Sequence, residues 1–116
     1  MSDARNLVRL CALTSCMLVE SAIASPAYAG DPAMGKKMIG RCMACHGLNG
    51  IGKSPDVPNL AGESTVYLTN QLNAYRSGQR QHEQMSIIAK GLSDTQIDDL
   101  AAWYAALKVT VEMPKL

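Results

Sequence analysis

Apolar positions after residue 30 recur at the three- and four-residue spacing of amphipathic helices. They predict a first helix over residues 32–45, a second that begins near Ser64 or Thr65 and ends at Gly78, and a short third over residues 83–90. A last helix begins at the sequence Ser93-Asp94-Thr95-Gln96, which is typical of a capping box. Because no segment has the alternation of a strand, the sequence predicts an all-α fold of about four short helices.

The same spacing predicts which side chains are buried. On each helix the apolar residues share one face, and that face is expected to point into the core. The predicted faces are Met34, Met38 and Ile39 on the first helix, Tyr67, Leu68, Leu72 and Tyr75 on the second, and Ile97, Leu100, Ala101, Tyr104 and Leu107 on the last.

A segment rich in glycine and proline, residues 47–63, separates the first two helices. Glycine and proline at this density predict a loop. A loop of about this length is unusual in a compact domain unless it binds something. We therefore expect the loop to take part in the binding site.

The chemistry is concentrated in five residues, Cys42-Met43-Ala44-Cys45-His46. They form C-x-x-C-H, the attachment motif for a c-type haem. The two thiols can add to the two vinyl groups of one haem, and the adjacent imidazole can bind the iron. Two other interpretations of Cys42 and Cys45 remain open. A redox dithiol would need a strand–helix–strand context, and a zinc site would need a fourth ligand.

The composition fits one small domain without a charged partner. The chain has 116 residues and a formal net charge of +1, which argues against nucleic-acid binding. It has no Phe, so its core has little aromatic volume. The domain expected over residues 30–116 is smaller than the whole chain, and domains near its size often need a disulfide, a metal or a cofactor. A covalent haem would supply a large apolar group.

The first 29 residues are expected to be a secretory signal peptide. Arg5 and Arg9 precede a mostly apolar stretch, and Ala27-Tyr28-Ala29 matches a cleavage signal. Cleavage after Ala29 predicts a periplasmic domain over residues 30–116. Two alternatives are a single membrane anchor, for which the apolar run is too short, and a lipoprotein with a lipidated Cys16.

Several ordered motifs together resemble the class I cytochromes c. They are the haem motif followed by Gly47, Pro58-Asn59-Leu60-Ala61-Gly62, the region of Met85, and the run from Leu92 to Tyr104. The chain is similar to bacterial periplasmic mono-haem members and to single domains of the di-haem ones. The resemblance implies a fold of short helices and a long loop around one covalent haem c, attached through Cys42 and Cys45 with His46 as proximal ligand.

The resemblance also implies a methionine as the second axial ligand of the iron. Met85 lies on a different predicted helix from His46 and precedes Leu92 at the usual spacing of the family. His82 is the rival ligand, and a bis-histidine iron would have a lower potential. The family further implies that the Pro58 carbonyl accepts a hydrogen bond from His46, and that Gly35 lies where the first and last helices cross, against Trp103 or Tyr104.

The resulting functional prediction is an electron carrier and not an enzyme. An iron with histidine and methionine bound has no open position for a substrate. The expected partners are redox proteins, with transient contact to membrane respiratory complexes, and the mature form is expected to be soluble. Two alternatives stay open: the cytochrome subunit of a periplasmic dehydrogenase, such as a flavocytochrome sulfide dehydrogenase, and a five-coordinate haem that binds a ligand.

Overall fold

The computed structural model describes residues 29–116, so the signal peptide assigned to residues 1–29 lies outside it apart from Ala29. The described residues form five helices and no strand, which confirms the all-α prediction. The helices are α1 (Pro32–Met38), α2 (Gly40–His46), α3 (Thr65–Ser77), α4 (Glu83–Lys90) and α5 (Asp94–Ala106).

The helix ends follow from local sequence. The Ser64 hydroxyl accepts a hydrogen bond from Tyr67 N at the start of α3, and Gly78 ends that helix with a φ of 83°. Ser93 and Gln96 form the complete capping box that was predicted for α5. These caps satisfy backbone groups that a helix end otherwise leaves without partners.

The last helix, α5, is the centre of the molecule. Both α1 and α3 pack against α5, and α4 packs against α3. The core cluster is formed by the buried side chains Ile39, Leu68, Leu100, Ala101 and Tyr104. All five lay on the predicted apolar faces of the first, second and last helices, so the periodicity identified the core.

Gly35 allows α1 and α5 to cross at close range. A Cβ at this position would lie 2.0 Å from the Asp99 carbonyl oxygen and 2.9 Å from Trp103 Cβ. Trp103 was an expected partner of Gly35, whereas the contact with the Asp99 backbone was not predicted. The crossing is reinforced by Asp31 N, which donates to the buried Asp99 carboxylate at 2.7 Å.

Three expectations about the helices are wrong in detail. The first helix does not run continuously over residues 32–45 but is interrupted at Ile39, where ψ is −2°. Gly40 follows, and glycine is a poor helix former, while burial of Ile39 in the core stabilises the interruption. Met34 was expected to be buried but is 43% exposed, because α1 turns its Gly35 face to α5. Tyr67 was also expected to be buried but is 47% exposed, because α3 buries Leu68 and Tyr75 instead.

Among the described residues, no helix combines the length and apolar character that crossing a bilayer requires.

Candidate haem site

The haem motif occupies the last turn and a half of α2. Cys42, Cys45 and His46 lie at positions i, i+3 and i+4 of this helix, a spacing that brings side chains to one face. Both thiols are half-buried and free. The helix therefore presents two thiols and one imidazole to the same region of space.

His46 is buried, with 7% of its surface exposed. It is the last residue of α2, which ends because Gly47 has a φ of 74°. His46 Nδ1 lies 2.9 Å from the Pro58 carbonyl oxygen. A carbonyl oxygen can only accept, so Nδ1 carries the proton and Nε2 keeps its lone pair for a metal.

The loop of residues 47–63 supplies that carbonyl and is ordered by its own hydrogen bonds. Gly52 N donates to Asn59 Oδ1 at 2.8 Å, and Lys53 N donates to the Cys45 carbonyl at 2.9 Å. A Cβ at Gly52 would lie 2.0 Å from the Val57 carbonyl oxygen, so only glycine permits this close approach. The long loop is thus fixed against α2, and it fixes the orientation of the His46 ring.

The ionisation of Cys42 favours a thioether over a metal thiolate. Burial raises the pKa of the Cys42 thiol, an effect that the neighbouring Tyr104 hydroxyl only partly offsets. Burial also raises the pKa of Tyr104, with the nearby Cys42 contributing in the same direction. Zinc binds the thiolate, whereas a thioether is neutral and suits an apolar site.

The arrangement of potential ligands leads to the same choice. Within residues 29–116, no three side chains of the His, Cys, Asp or Glu types converge as a metal site. Cys42, Cys45 and His46 share one face of α2. Two thiols and an imidazole on one helix face fit a haem, and His46 Nε2 would be the donor to its iron.

Met85 lies in the first turn of α4 and is half-buried. The other described methionines are less suitable as a second axial ligand. Met38 is on α1 and packs against the core cluster. Three are exposed, namely Met34 at 43%, Met43 at 42% and Met113 at 83%.

His82, the rival ligand, has a structural role that the sequence interpretation missed. Its Nδ1 accepts hydrogen bonds from Gln84 N and Met85 N, so the side chain is the N-cap of α4. The neutral ring then carries its proton on Nε2. Binding a metal through Nε2 would require moving that proton to Nδ1, at the expense of both cap hydrogen bonds. Asp, Asn, Ser and Thr are the usual caps, and a histidine gave no cap signal.

Arg76 is engaged in packing helices together. Its guanidinium donates to the Leu92 carbonyl at 3.0 Å and to Asn73 Oδ1 at 2.8 Å, and it pairs with Asp94. Arg76 therefore joins α3 to the beginning of α5. An i, i+3 pair with Asn73 was visible in the sequence, but the contacts across to α5 depend on the tertiary structure.

Comparison with known proteins identifies the family. The cytochrome c family profile matches residues 32–108. Cytochrome c-554(548) of Halomonas halodenitrificans is 48% identical over 81 residues, which cover 67% of this chain and 98% of that protein. A thiosulfate dehydrogenase electron acceptor of Stutzerimonas stutzeri is 40% identical over 73 residues, which cover 60% of this chain and 34% of that protein.

A solved structure agrees with the family match. Reduced recombinant cytochrome c4 from Pseudomonas stutzeri superposes with a TM-score of 0.67 at 33% sequence identity. The match covers 72% of this chain and 48% of that one, so the chain spans about half of a cytochrome c4. The helical fold, the C-x-x-C-H site on α2 and these matches agree. The chain belongs to the class I cytochromes c, which carry covalently bound haem c, and it is an electron carrier.

Proposed function

We propose that this protein is an exported mono-haem cytochrome in which His46 and Met85 are the axial ligands of the iron. Cys42 and Cys45 form the two thioether bonds. The observation that carries the proposal is the buried His46 ring, which the Pro58 carbonyl orients from 2.9 Å at the end of the helix that bears both thiols. This hydrogen bond from His46 Nδ1 to the Pro58 carbonyl fixes the tautomer and raises the basicity of Nε2, the proposed ligating nitrogen.

The residues around the site support electron transfer. A bound haem c supplies an iron that changes between the ferric and ferrous states. The His46 imidazole and the Met85 thioether would hold the iron in both states, so little structural change would accompany the transfer of an electron. A thioether ligand raises the potential. His46 itself is buried, with 7% of its surface exposed, which limits the access of water to its ring.

One haem is proposed because the sequence has one C-x-x-C-H motif. The other two cysteines, Cys11 and Cys16, precede the proposed cleavage site after Ala29. Cleavage there leaves Cys42 and Cys45, the two cysteines that the haem requires, and none for a disulfide. The proposed location is the periplasm, since the leader has the composition of a secretory signal.

The proposed partners are redox proteins that donate and accept single electrons. Such encounters use small interfaces, below about 1,200 Å². A second candidate is a dedicated acceptor for one periplasmic dehydrogenase. The similarity to a thiosulfate dehydrogenase electron acceptor favours it. A stable complex with a dehydrogenase that survives size-exclusion chromatography would support this second candidate over a free carrier.

Optical spectra of the protein expressed in a bacterial periplasm test the proposed site. We expect the haem to stay with the chain after acid–acetone extraction, and we expect the oxidised protein to show the far-red methionine–iron band. Met85→Ala should abolish that band and let the ferrous form bind carbon monoxide, whereas the exposed Met113→Ala should change neither property. Haem lost on extraction would overturn the thioether assignment, and a far-red band that survives in Met85→Ala would overturn the axial ligand.

A further inference from the structure

We propose that His82 is a positioning residue for Met85, which it keeps on the iron by capping α4. The inference rests on the proposed ligation by Met85. It assigns to His82 a role that acts through the backbone of the ligand residue and not through the iron.

The cap joins His82 directly to Met85. His82 Nδ1 accepts from Gln84 N and from Met85 N, each at 3.3 Å. In the opposite direction, His82 N donates to Ser86 Oγ at 3.0 Å. The side chain and the backbone of His82 therefore both hydrogen-bond to the first turn of α4. The backbone amide of Met85 is one of the groups that the His82 ring holds in place.

The imidazole ring is itself fixed by α3. Tyr75, a buried residue of α3, meets His82 edge to face, with ring centroids 6.5 Å apart and planes at 75°. The Arg80 guanidinium lies 4.7 Å from the Tyr75 ring centroid. A chain of contacts thus runs from the buried part of α3 through the His82 ring to the Met85 backbone.

The cap matters because α4 has few other supports. The helix has eight residues, and helices this short are marginal without tertiary contacts. Its main packing partner is α3. Losing the cap frees the first turn, which contains Met85, and increases the fraction of molecules in which the methionine has left the iron. The packing of α1 and α3 against α5 does not involve this turn.

Competition with added imidazole measures the effect in the haem-loaded protein. Imidazole binds ferric iron only when Met85 has left, so its apparent affinity reports how firmly the methionine is positioned. We expect His82→Ala to bind imidazole about five-fold more tightly, the change that corresponds to a cap of about 1 kcal/mol. The far-red band should also disappear at lower temperature in this variant.

Two further variants separate positioning from general stability. Asparagine is a strong N-cap, so His82→Asn should restore an imidazole affinity close to that of the wild type. Ser93→Ala removes a comparable cap from α5 and should lower the stability of the fold while leaving the imidazole affinity unchanged. Should His82→Ala not retain haem, His82→Gln replaces it, because its longer side chain is a poor cap.

The outcomes distinguish this inference from the proposed ligand set. Equal imidazole affinity in the wild type and in the alanine or glutamine variant would overturn the role of His82. So would an asparagine variant no better than that uncapped variant. A failure of the ligand assignment has a different signature: the far-red band would be absent from the wild type or would survive in Met85→Ala, and Met85→Ala would bind imidazole as the wild type does.

Discussion

The two proposed axial ligands, His46 and Met85, differ in how the chain positions them. His46 is buried, lies next to a proposed thioether cysteine, and has its ring oriented by a carbonyl 12 residues away. Met85 is half-buried on a separate eight-residue helix, and its backbone amide donates a hydrogen bond to His82 Nδ1. The histidine side is thus specified mainly by local sequence, whereas the methionine side depends on a cap and on packing against α3. Perturbations of the fold should therefore reach the methionine first.

Gly35→Ala should weaken the positioning of His46 and of Met85 alike, because the α1–α5 crossing supports the whole fold. The added Cβ would lie 2.0 Å from the Asp99 carbonyl oxygen, and the helices would have to separate. We expect a loss of about 3 kcal/mol of unfolding free energy, the upper part of the range for overpacking. Denaturant unfolding followed by circular dichroism measures the loss.

Gly40→Ala is the matched control for that experiment. Gly40 is exposed in the first turn of α2, and a Cβ there would meet nothing within 4 Å. Alanine is the better helix former by about 1 kcal/mol, so this variant should be as stable as the wild type or more so. Equal losses in the two variants would contradict the close crossing at Gly35.

Arg76→Lys tests the methionine side through α3. Lysine keeps the charge but cannot reach the Leu92 carbonyl, Asn73 and Asp94 together as the guanidinium does. We expect the unfolding free energy to fall by about 1–2 kcal/mol, and the far-red band to be lost at a lower temperature than in the wild type. Lys90→Arg, an exposed change on α4, serves as control. If the variant loses the far-red band at the same temperature as the wild type, Arg76 does not contribute to the positioning of Met85.

Asn59→Ala tests the histidine side through the loop that carries Pro58. The Asn59 side chain accepts from Gly52 N at 2.8 Å, and removing it should cost about 1 kcal/mol of stability. We expect the far-red band of the folded protein to remain, because the thioether bonds fix α2 to the haem. Asn70→Ala, an exposed change on α3, should be nearly neutral. Loss of the band at room temperature in Asn59→Ala would show that the histidine side is the weaker one.

Ser54→Ala should make the smallest change, which is a shift in the pKa of the exposed Asp56 carboxyl in the same loop. The Ser54 hydroxyl donates to Asp56 at 2.7 Å and is the main cause of the lowered pKa of that carboxyl. A lowered folded-state pKa stabilises the fold above the unfolded-state pKa, and this contribution is lost as the pH falls through the folded-state value. In the variant the Asp56 pKa should rise toward its ordinary value, which an NMR titration measures. An unchanged pKa would mean that the hydroxyl is not its cause.

The sequence predicted where the helices lie better than it predicted where the first helix is interrupted and which side chains meet between helices. The limits of α4 and the capping box at Ser93 were predicted because caps and periodicity are local signals. The interruption at Ile39 was not, because it depends on where a side chain is buried in the tertiary structure. Tyr67 was placed in the core since its neighbours are apolar, but periodicity alone does not say which edge of a helix face meets its partner.

The site shows the same division. Cys42, Cys45 and His46 were predicted as the haem site from five consecutive residues. The contact of His46 with the Pro58 carbonyl was expected from the family resemblance and is present at 2.9 Å. Met85 remains a proposal, because ligation joins helices that are distant in sequence. The cap formed by His82 was missed since histidine is a rare N-cap. Its role becomes visible only when the ring nitrogen and the Met85 amide are seen together.

The packing of Cys42 also constrains how the protein is made. Its thiol lies against the core cluster that α5 completes, beside Tyr104. Reaction requires the thiolate, and burial raises the pKa of this thiol, so the folded chain is a poor nucleophile at this position. A thioether bond at Cys42 would therefore form most readily while α5 is still undocked and the thiol is in water. The core would then impose an order on maturation, with haem attachment first and docking of α5 afterwards.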